Sequence, residues 1–526
     1  LTALLSILTG LVTVSPNNDI ISSISSKSGD EVMQNHMNHI GLIFDPKTVA
    51  VVGASNALDK WGAGIFSRVL RSPSVKRAYP VNKTSAEVQG VKAYPTVRDL
   101  PESVDFVAIV IPYPDVPEVV RDCVATGVKA GLIITAGLGE TGEEGAKLEK
   151  EIYETAHQGG MRLVGPNCMG HFNTANDFST LRMPIPVPKG SVGVISQSGG
   201  FAMNILMAGL EAGTGFSKFV SVGNEADLHF EDFLEYLAND SETKVITGYI
   251  EGLRKGREFF DIASELTKRK PIVVVKVGRT EVGAKAARSH TSAIAGTDAI
   301  YDAMFRQAGV IRVNEIEELF DVALALLHQP LPRSNRVGIL TGGGGLGCVT
   351  SDACARLGLN VAPLSPKTIE KLDQVLPARW PRANPVDTVA AGPVTYPCLW
   401  PLLEDKNLDS LLVIGGIGPM PMRAMSSMSM ASLQQADNAP DFIERAERMF
   451  QEHQQEEMRN LDRLFEYMDK YQKPVLVFGM NPTMLNESPI YTKLRERGLA
   501  IYPSPERAAK TLAYLVQYSK YLHNGS

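Results

Sequence analysis

The side chains best suited to moving a charged group in this sequence are His290 and Glu251. His290 stands in the small, polar run SHTSAIAG, and Glu251 follows a buried-type apolar run in YIEG. An imidazole can take up a proton or a transferred group, and a carboxylate beside it would fix its tautomer and raise its basicity. A lone histidine is more often structural. Of the nine histidines, His36, His39 and His523 lie in apparent tails.

Three turns of small residues offer the complementary chemistry, a place for an anion. Ser198, Gly199 and Gly200 in VISQSGGFAMNIL lie between an apolar strand-like run and an apolar helix-like one. A strand that ends in small residues at a helix start presents free backbone N–H groups and the positive end of the helix dipole. Gly343, Gly344 and Gly345 in ILTGGGGLG repeat the device. Each glycine costs up to about 1 kcal/mol relative to alanine in regular structure, so contact with a charged group and close packing are the two reasons to keep them. Gly53, Ala54 and Ser55 in VVGASNALDKWGAG form the third turn; a phosphate-bearing ligand and an ordinary tight turn both fit it. Lys83 in YPVNK could pair with a phosphate or simply be solvated. Familiar alternatives fail on spacing: SQSGG lacks the first glycine of GxSxG, no lysine follows the glycine run as GxxxxGK[ST] requires, and VVGAS is not GxGxxG.

Such turns need strands and helices to hold them. Short apolar runs (TVAVVGAS, AYPVN, VDFVAIVIP, AGLIITAG, RLVGPN) alternate with stretches that can be helical, the pattern of a doubly wound parallel sheet. Ligands bind such sheets at the carboxyl ends of the strands, where Gly53, Asn82, Pro112, Thr135 and Asn167 would sit. After the Pro-rich link MPIPVPKG, SVGVISQS, FSKFVSVGN, KVITGYIEG and PIVVVKVG repeat the pattern, and RVGILTGGGGLG opens a third series. The expected architecture is α/β with three tandem domains, at 43–188, 189–331 and 332–520. A long amphipathic helix is expected within 421–472, from apolar residues at helical spacing such as Leu461, Leu464 and Met468. A partner groove for that helix is the alternative.

Residues 1–42 are expected to lie outside the core as a poorly ordered extension. The apolar start, Leu1 to Val14, is too short to span a bilayer and lacks a basic n-region. The stretch before Met33 reads as an over-called gene start, which intact-mass analysis of native protein checks.

Composition narrows the function. The chain has 526 residues, 44% hydrophobic and 21% charged, with a net charge of -6. That is a multidomain globular chain with no electrostatic footprint for nucleic acid or an anionic membrane. Five cysteines, mostly isolated, form neither a disulfide framework nor a zinc cluster. No bound metal is expected, and the compartment is read as cytoplasmic.

Taken together and in order, VAVVGAS, VGPNCMG, ISQSGG, YIEG, SHTSAIAG, TGGGGLG and NPVD resemble the α subunit of NDP-forming acyl-CoA synthetases. The resemblance is to ADP-forming acetate–CoA ligase, within the succinyl-CoA synthetase superfamily, and runs from about Phe44 to Leu515. It implies a Rossmann-like CoA-binding domain followed by two flavodoxin-like domains of succinyl-CoA-synthetase type. It further implies interconversion of acyl-CoA, phosphate and ADP with carboxylic acid, CoA and ATP, through an acyl phosphate and a phosphohistidine. On the same ground His290 is the phosphorylated residue and Glu251 orients it. Ser198, Gly199, Gly200, Gly343, Gly344 and Gly345 cradle the phosphoryl group. Gly53, Ala54, Ser55, Asn82, Lys83, Pro112, Thr135 and Asn167 contact CoA. No ATP-grasp region follows the third block, so a separate ATP-grasp β subunit carrying ADP/ATP and Mg is implied, as an α2β2 assembly. Two other readings stand beside it: a non-catalytic acyl-CoA or nucleotide sensor, and an NAD-type dehydrogenase weakened by its imperfect glycine fingerprint.

Overall fold

The computed structural model describes residues 37–290, 297–389, 394–417, 439–479 and 489–524; within 286–290 and parts of 439–453 only the backbone is described. Three sheets, parallel but for one edge of the second, follow one another along the chain. The first holds Arg77–Val81, Thr48–Val52, Phe106–Ile109, Ala130–Ile133 and Arg162–Val164 in that spatial order, every pair parallel. Helices Trp61–Arg71, Val116–Ala125 and Glu143–Gln158 make the crossovers. The chain reverses its direction across the sheet between Thr48–Val52 and Phe106–Ile109, which creates a crevice at their carboxyl ends. Thr48–Val52 is buried throughout, as continuous β-branched runs in a two-sided parallel sheet must be.

The second sheet runs Ile311–Val313, Ile272–Lys276, Val245–Ile250, Lys189–Ser196 and Phe216–Ser221. It then continues into an antiparallel edge, His171–Asn173 and Phe178–Ser179. Residues 171–179, expected with the first domain up to 188, therefore belong to the second sheet. The pair covers the outer edge of Phe216–Ser221, which would otherwise expose unpaired backbone groups. In the third sheet Asn360–Val361, Arg336–Thr341, Ser410–Ile414, Val475–Phe478 and Ile501–Tyr502 are parallel neighbours, with Val386–Asp387 also paired to Arg336–Thr341.

Two boundaries differ from expectation. Residues 37–44 are helical, and Ile40, Ile43 and Phe44 are fully buried, so the folded region begins before 43. His171 holds that helix: Nε2 donates to Ile43 O at 2.7 Å and Nδ1 accepts from Thr180 Oγ1 at 3.0 Å. Burial pushes its imidazole down to about 3, so it stays neutral and structural. At the other end, helix Pro505–Asn524 crosses from the third sheet to the second block. Tyr518 Oη donates to Thr267 O at 2.6 Å, and Arg507 and Lys510 pair with Asp321 and Glu318. The long amphipathic helix is present as Ala439–Tyr471, 33 residues and about 50 Å long. Leu461, Leu464, Phe465 and Met468 bury its carboxyl half in the third core, so that half serves packing. Among the described residues no helix is long and apolar enough to cross a membrane.

Candidate active site

Because every strand of the first sheet is parallel, the eight residues assigned to CoA gather at one edge. Gly53 sits at the crevice with φ +92°, where a Cβ would lie 2.2 Å from Val110 O. A Cβ at Gly62 would lie 1.9 Å from Gly53 O, so helix Trp61–Arg71 starts hard against this turn. Glycine is required at both positions by backbone approach alone. The other members differ in what they can offer. Ala54 is fully buried and its carbonyl accepts from Asn82 Nδ2 at 2.8 Å. The Asn82 Oδ1 accepts from the Thr84 and Ser85 N–H groups. Asn82 therefore shapes the two turns from within. Ser55 Oγ accepts from Ala57 N, and Thr135 Oγ1 donates to Ile111 O. Pro112 and Lys83 face outward.

Asn167 carries the first domain onto the second. It follows Gly165–Pro166, adopts φ +57°, and its Nδ2 donates to Asn224 Oδ1 at 3.2 Å. Asn224 Nδ2 in turn donates to Glu140 Oε2 at 2.6 Å and Glu149 Oε2 at 2.8 Å, and Arg254 donates to Asn224 O. A Cβ at Gly199 would lie 3.1 Å from Asn167 O, which places the GPNCMG turn against the start of helix Gly199–Glu211. Cys168, beside it, is no nucleophile: its Sγ donates to Ile133 O and burial pushes the thiol up to about 12.

At that helix start Ser198 is the N-cap, its Oγ accepting from Phe201 N at 3.2 Å. Gly200 has no positive φ and nothing within 4 Å of its Cβ position. The same holds for Gly343 and Gly345 at the start of helix Gly344–Arg356, whereas a Cβ at Gly344 would lie 3.3 Å from Asp387 Oδ2. Neither backbone conformation nor internal packing asks for glycine at 200, 343 and 345. Two helix amino termini with open space at these glycines leave room for a phosphoryl group to meet backbone N–H groups.

Gln197, which no motif of the sequence singles out, is central. Its Oε1 accepts from Glu251 N at 2.6 Å and Gly252 N at 3.1 Å, while Nε2 donates to Gly252 O at 2.7 Å and to buried Glu225 at 2.8 Å. One amide thus locks the Ser198 turn to the Glu251 turn. The only sequence signal is a lone polar residue at the end of an apolar run. Replacing Gln197 with Leu strands several buried polar groups, at roughly 1–3 kcal/mol each. The expected result is a lower Tm and a kcat reduced by more than about tenfold with KM for acyl-CoA unchanged, read by thermal denaturation and steady-state rates. Glu251 itself follows strand Val245–Ile250, beside Gln197. His290 ends helix Glu281–His290; its side chain and residues 291–296 lie outside the described part, so the structure does not bring it to Glu251 or hold it away.

A doubly wound parallel sheet with a crevice at its carboxyl edge is joined here to a second sheet with a glycine-rich helix start. That is the layout of the class the motifs resemble, a CoA-binding domain followed by one of succinyl-CoA-synthetase type. The family models agree: residues 47–174 match the CoA binding domain and residues 189–326 the succinyl-CoA ligase like flavodoxin domain. The α subunit of ADP-forming acetate–CoA ligase II from Pyrococcus furiosus is 45% identical over 373 residues, 70% of this chain and 81% of that one. The corresponding isoenzyme I α subunit is 35% identical over 91% of this chain and 97% of its own length. The apo structure of the dinucleotide-forming acetyl-coenzyme A synthetase 1 of Candidatus Korarchaeum cryptofilum matches at TM-score 0.77 and 32% identity, over 92% of this chain and 99% of that one. The chain belongs to the ADP-forming acid–CoA ligase family. It spans about half the length of longer relatives such as acetate–CoA ligase I of Archaeoglobus fulgidus, of which it covers 54%.

Proposed function

We propose that this chain is the CoA- and phosphate-handling subunit of an ADP-forming ligase for a small carboxylic acid, acting with a separate ATP-grasp chain. In the direction of ATP synthesis, phosphate attacks the thioester carbon of acyl-CoA bound at the crevice of Gly53, Ser55, Pro112 and Asn167, and the CoA thiolate leaves. The imidazole of His290 then takes the phosphoryl group from the acyl phosphate, and the acid departs. Glu251 holds the ring for that attack, and the turns at Ser198–Gly200 and Gly343–Gly345 hold the phosphoryl oxygens. Transfer to ADP, with Mg, takes place on the ATP-grasp partner, in an α2β2 assembly in the cytoplasm.

The observation that carries this reading is the pair of glycine cradles with no internal reason to be glycine. The names of the relatives point the same way: those cited are acetate–CoA ligases, two of them called α subunits. The test is ATP formation from acetyl-CoA, phosphate and ADP, with and without a co-expressed ATP-grasp chain. ATP is expected only with the partner. ATP made by this chain alone would overturn the division of labour, and tight acyl-CoA binding without turnover in the complex would make it a sensor.

A further inference from the structure

Asn167 stands where the crevice of the first domain meets the second, and the two ends of its amide are not equivalent. Nδ2 donates to Asn224 Oδ1 at 3.2 Å, whereas among the described residues nothing donates to Asn167 Oδ1. Groups further back decide this. Asn224 Nδ2 meets Glu140 Oε2 at 2.6 Å and Glu149 Oε2 at 2.8 Å. Both carboxylates already accept from backbone, Glu140 Oε1 from Gly137 N at 2.6 Å and Glu149 Oε2 from Gly139 N at 3.0 Å. Two accepting carboxylates require the nitrogen of Asn224 between them. Its Oδ1 is then turned toward Asn167, which must offer Nδ2 in return. The polarity passes along the chain and leaves the Asn167 carbonyl oxygen unclaimed.

The backbone fixes both asparagines. Asn224 N donates to Pro166 O at 2.9 Å and Ala226 N to Gly165 O at 3.1 Å, and a Cβ at Gly223 would lie 2.1 Å from Pro166 O. Asn167 N donates to Thr135 O at 2.9 Å, and its φ of +57° is one that asparagine tolerates better than most residues. Asn167 is only partly buried, while Pro166 and Cys168 on either side of it are buried.

We propose that Asn224 is a positioning residue that presents the Asn167 carbonyl oxygen to CoA as a hydrogen-bond acceptor. The proposal rests on the reading of the crevice as a CoA site. The donors CoA brings are the amide N–H groups of its pantetheine arm and, when no acyl group is attached, its thiol. An accepting oxygen binds and orients that arm, but it cannot polarise the thioester carbonyl, which calls for a donor. Without Asn224 the Asn167 amide is free to turn over and present its nitrogen instead.

The experiment is a double-mutant cycle on the affinity of the full chain for CoA and for acetyl-CoA, measured by calorimetry. Its members are Asn167→Gly, which keeps the backbone angle, Asn224→Ala, and the two together. Each single change should weaken CoA by roughly 3- to 30-fold. The double variant should bind within about twofold of Asn167→Gly alone, because Asn224 acts only through Asn167. Equal losses for CoA and acetyl-CoA assign the donor to the pantetheine amide, and a loss confined to CoA assigns it to the thiol. Losses that multiply in the double variant, or Asn224→Ala with wild-type affinity for both ligands, overturn the proposal. If Asn224→Ala fails to fold, Glu140→Gln takes its place with the same expectation, since a glutamine there can accept from Gly137 N or from Asn224 but not from both. A wild-type chain that binds neither ligand overturns the crevice reading and this proposal together. The expected cycle in a complex that makes no ATP upholds the proposal and overturns the ligase reading alone.

Discussion

Substituting asparagine for His290 is expected to reduce ligase turnover by more than about 10⁴-fold, because on the proposed route the imidazole is the group that receives the phosphoryl. CoA and acyl-CoA should bind as before, since the crevice at Gly53 and Asn167 is built from a different domain. The contrast matters more than the loss. A ligase subunit loses turnover and keeps binding, whereas a sensor shows neither change. Phosphate incorporation and acyl-CoA affinity, measured on the same preparation, check it.

Valine at Gly345 is expected to lower phosphate incorporation by about 10²-fold or more while leaving thermal stability equal or slightly higher. Nothing lies within 4 Å of the Cβ position, the φ is not positive, and valine is the better helix former. A side chain there costs the fold nothing and occupies the space in which backbone N–H groups would meet a phosphoryl oxygen. The comparison variant is Gly62→Val, where the Cβ meets Gly53 O at 1.9 Å and the fold itself must yield. If Gly345→Val turned over normally, the third-block glycines would not be the ones that hold the phosphoryl group. The Asp387 carboxylate beside Gly344 would then be the group that meets the helix dipole.

Much of this arrangement is legible in the residues. Continuous β-branched runs such as Val49–Val52 and Val273–Val275, repeated between helical stretches, are the mark of a two-sided parallel sheet, and their parallel pairing brings Gly53, Pro112, Thr135 and Asn167 to one edge. What was hidden depends on neighbours distant in sequence. His171–Asn173 is too short to show a period, and it joins the second sheet because the edge of Phe216–Ser221 is open to it. Helix 37–44 is docked by residues more than 120 positions away: His171 Nε2 donates to Ile43 O and Asn173 Nδ2 to Phe44 O, at its carboxyl end. Asn82 has the composition of a ligand contact, yet its amide is consumed by Ala54 and the Thr84 turn. Gln197 is a single polar residue just past the end of an apolar strand, and only its hydrogen bonds to the Glu251 turn give it meaning.

The central claim is that a phosphoryl group passes through His290 of this chain. The most direct measurement incubates the purified chain with inorganic phosphate and a panel of acyl-CoAs and maps phosphorylated peptides by mass spectrometry. An acid-labile, alkali-stable phosphoryl group on the peptide that contains His290, formed with one acyl group and matched by release of CoA, is the expected result, and it names the acid as well. A complex that makes ATP from the same acyl-CoA with no phosphate ever found on His290 would contradict the account.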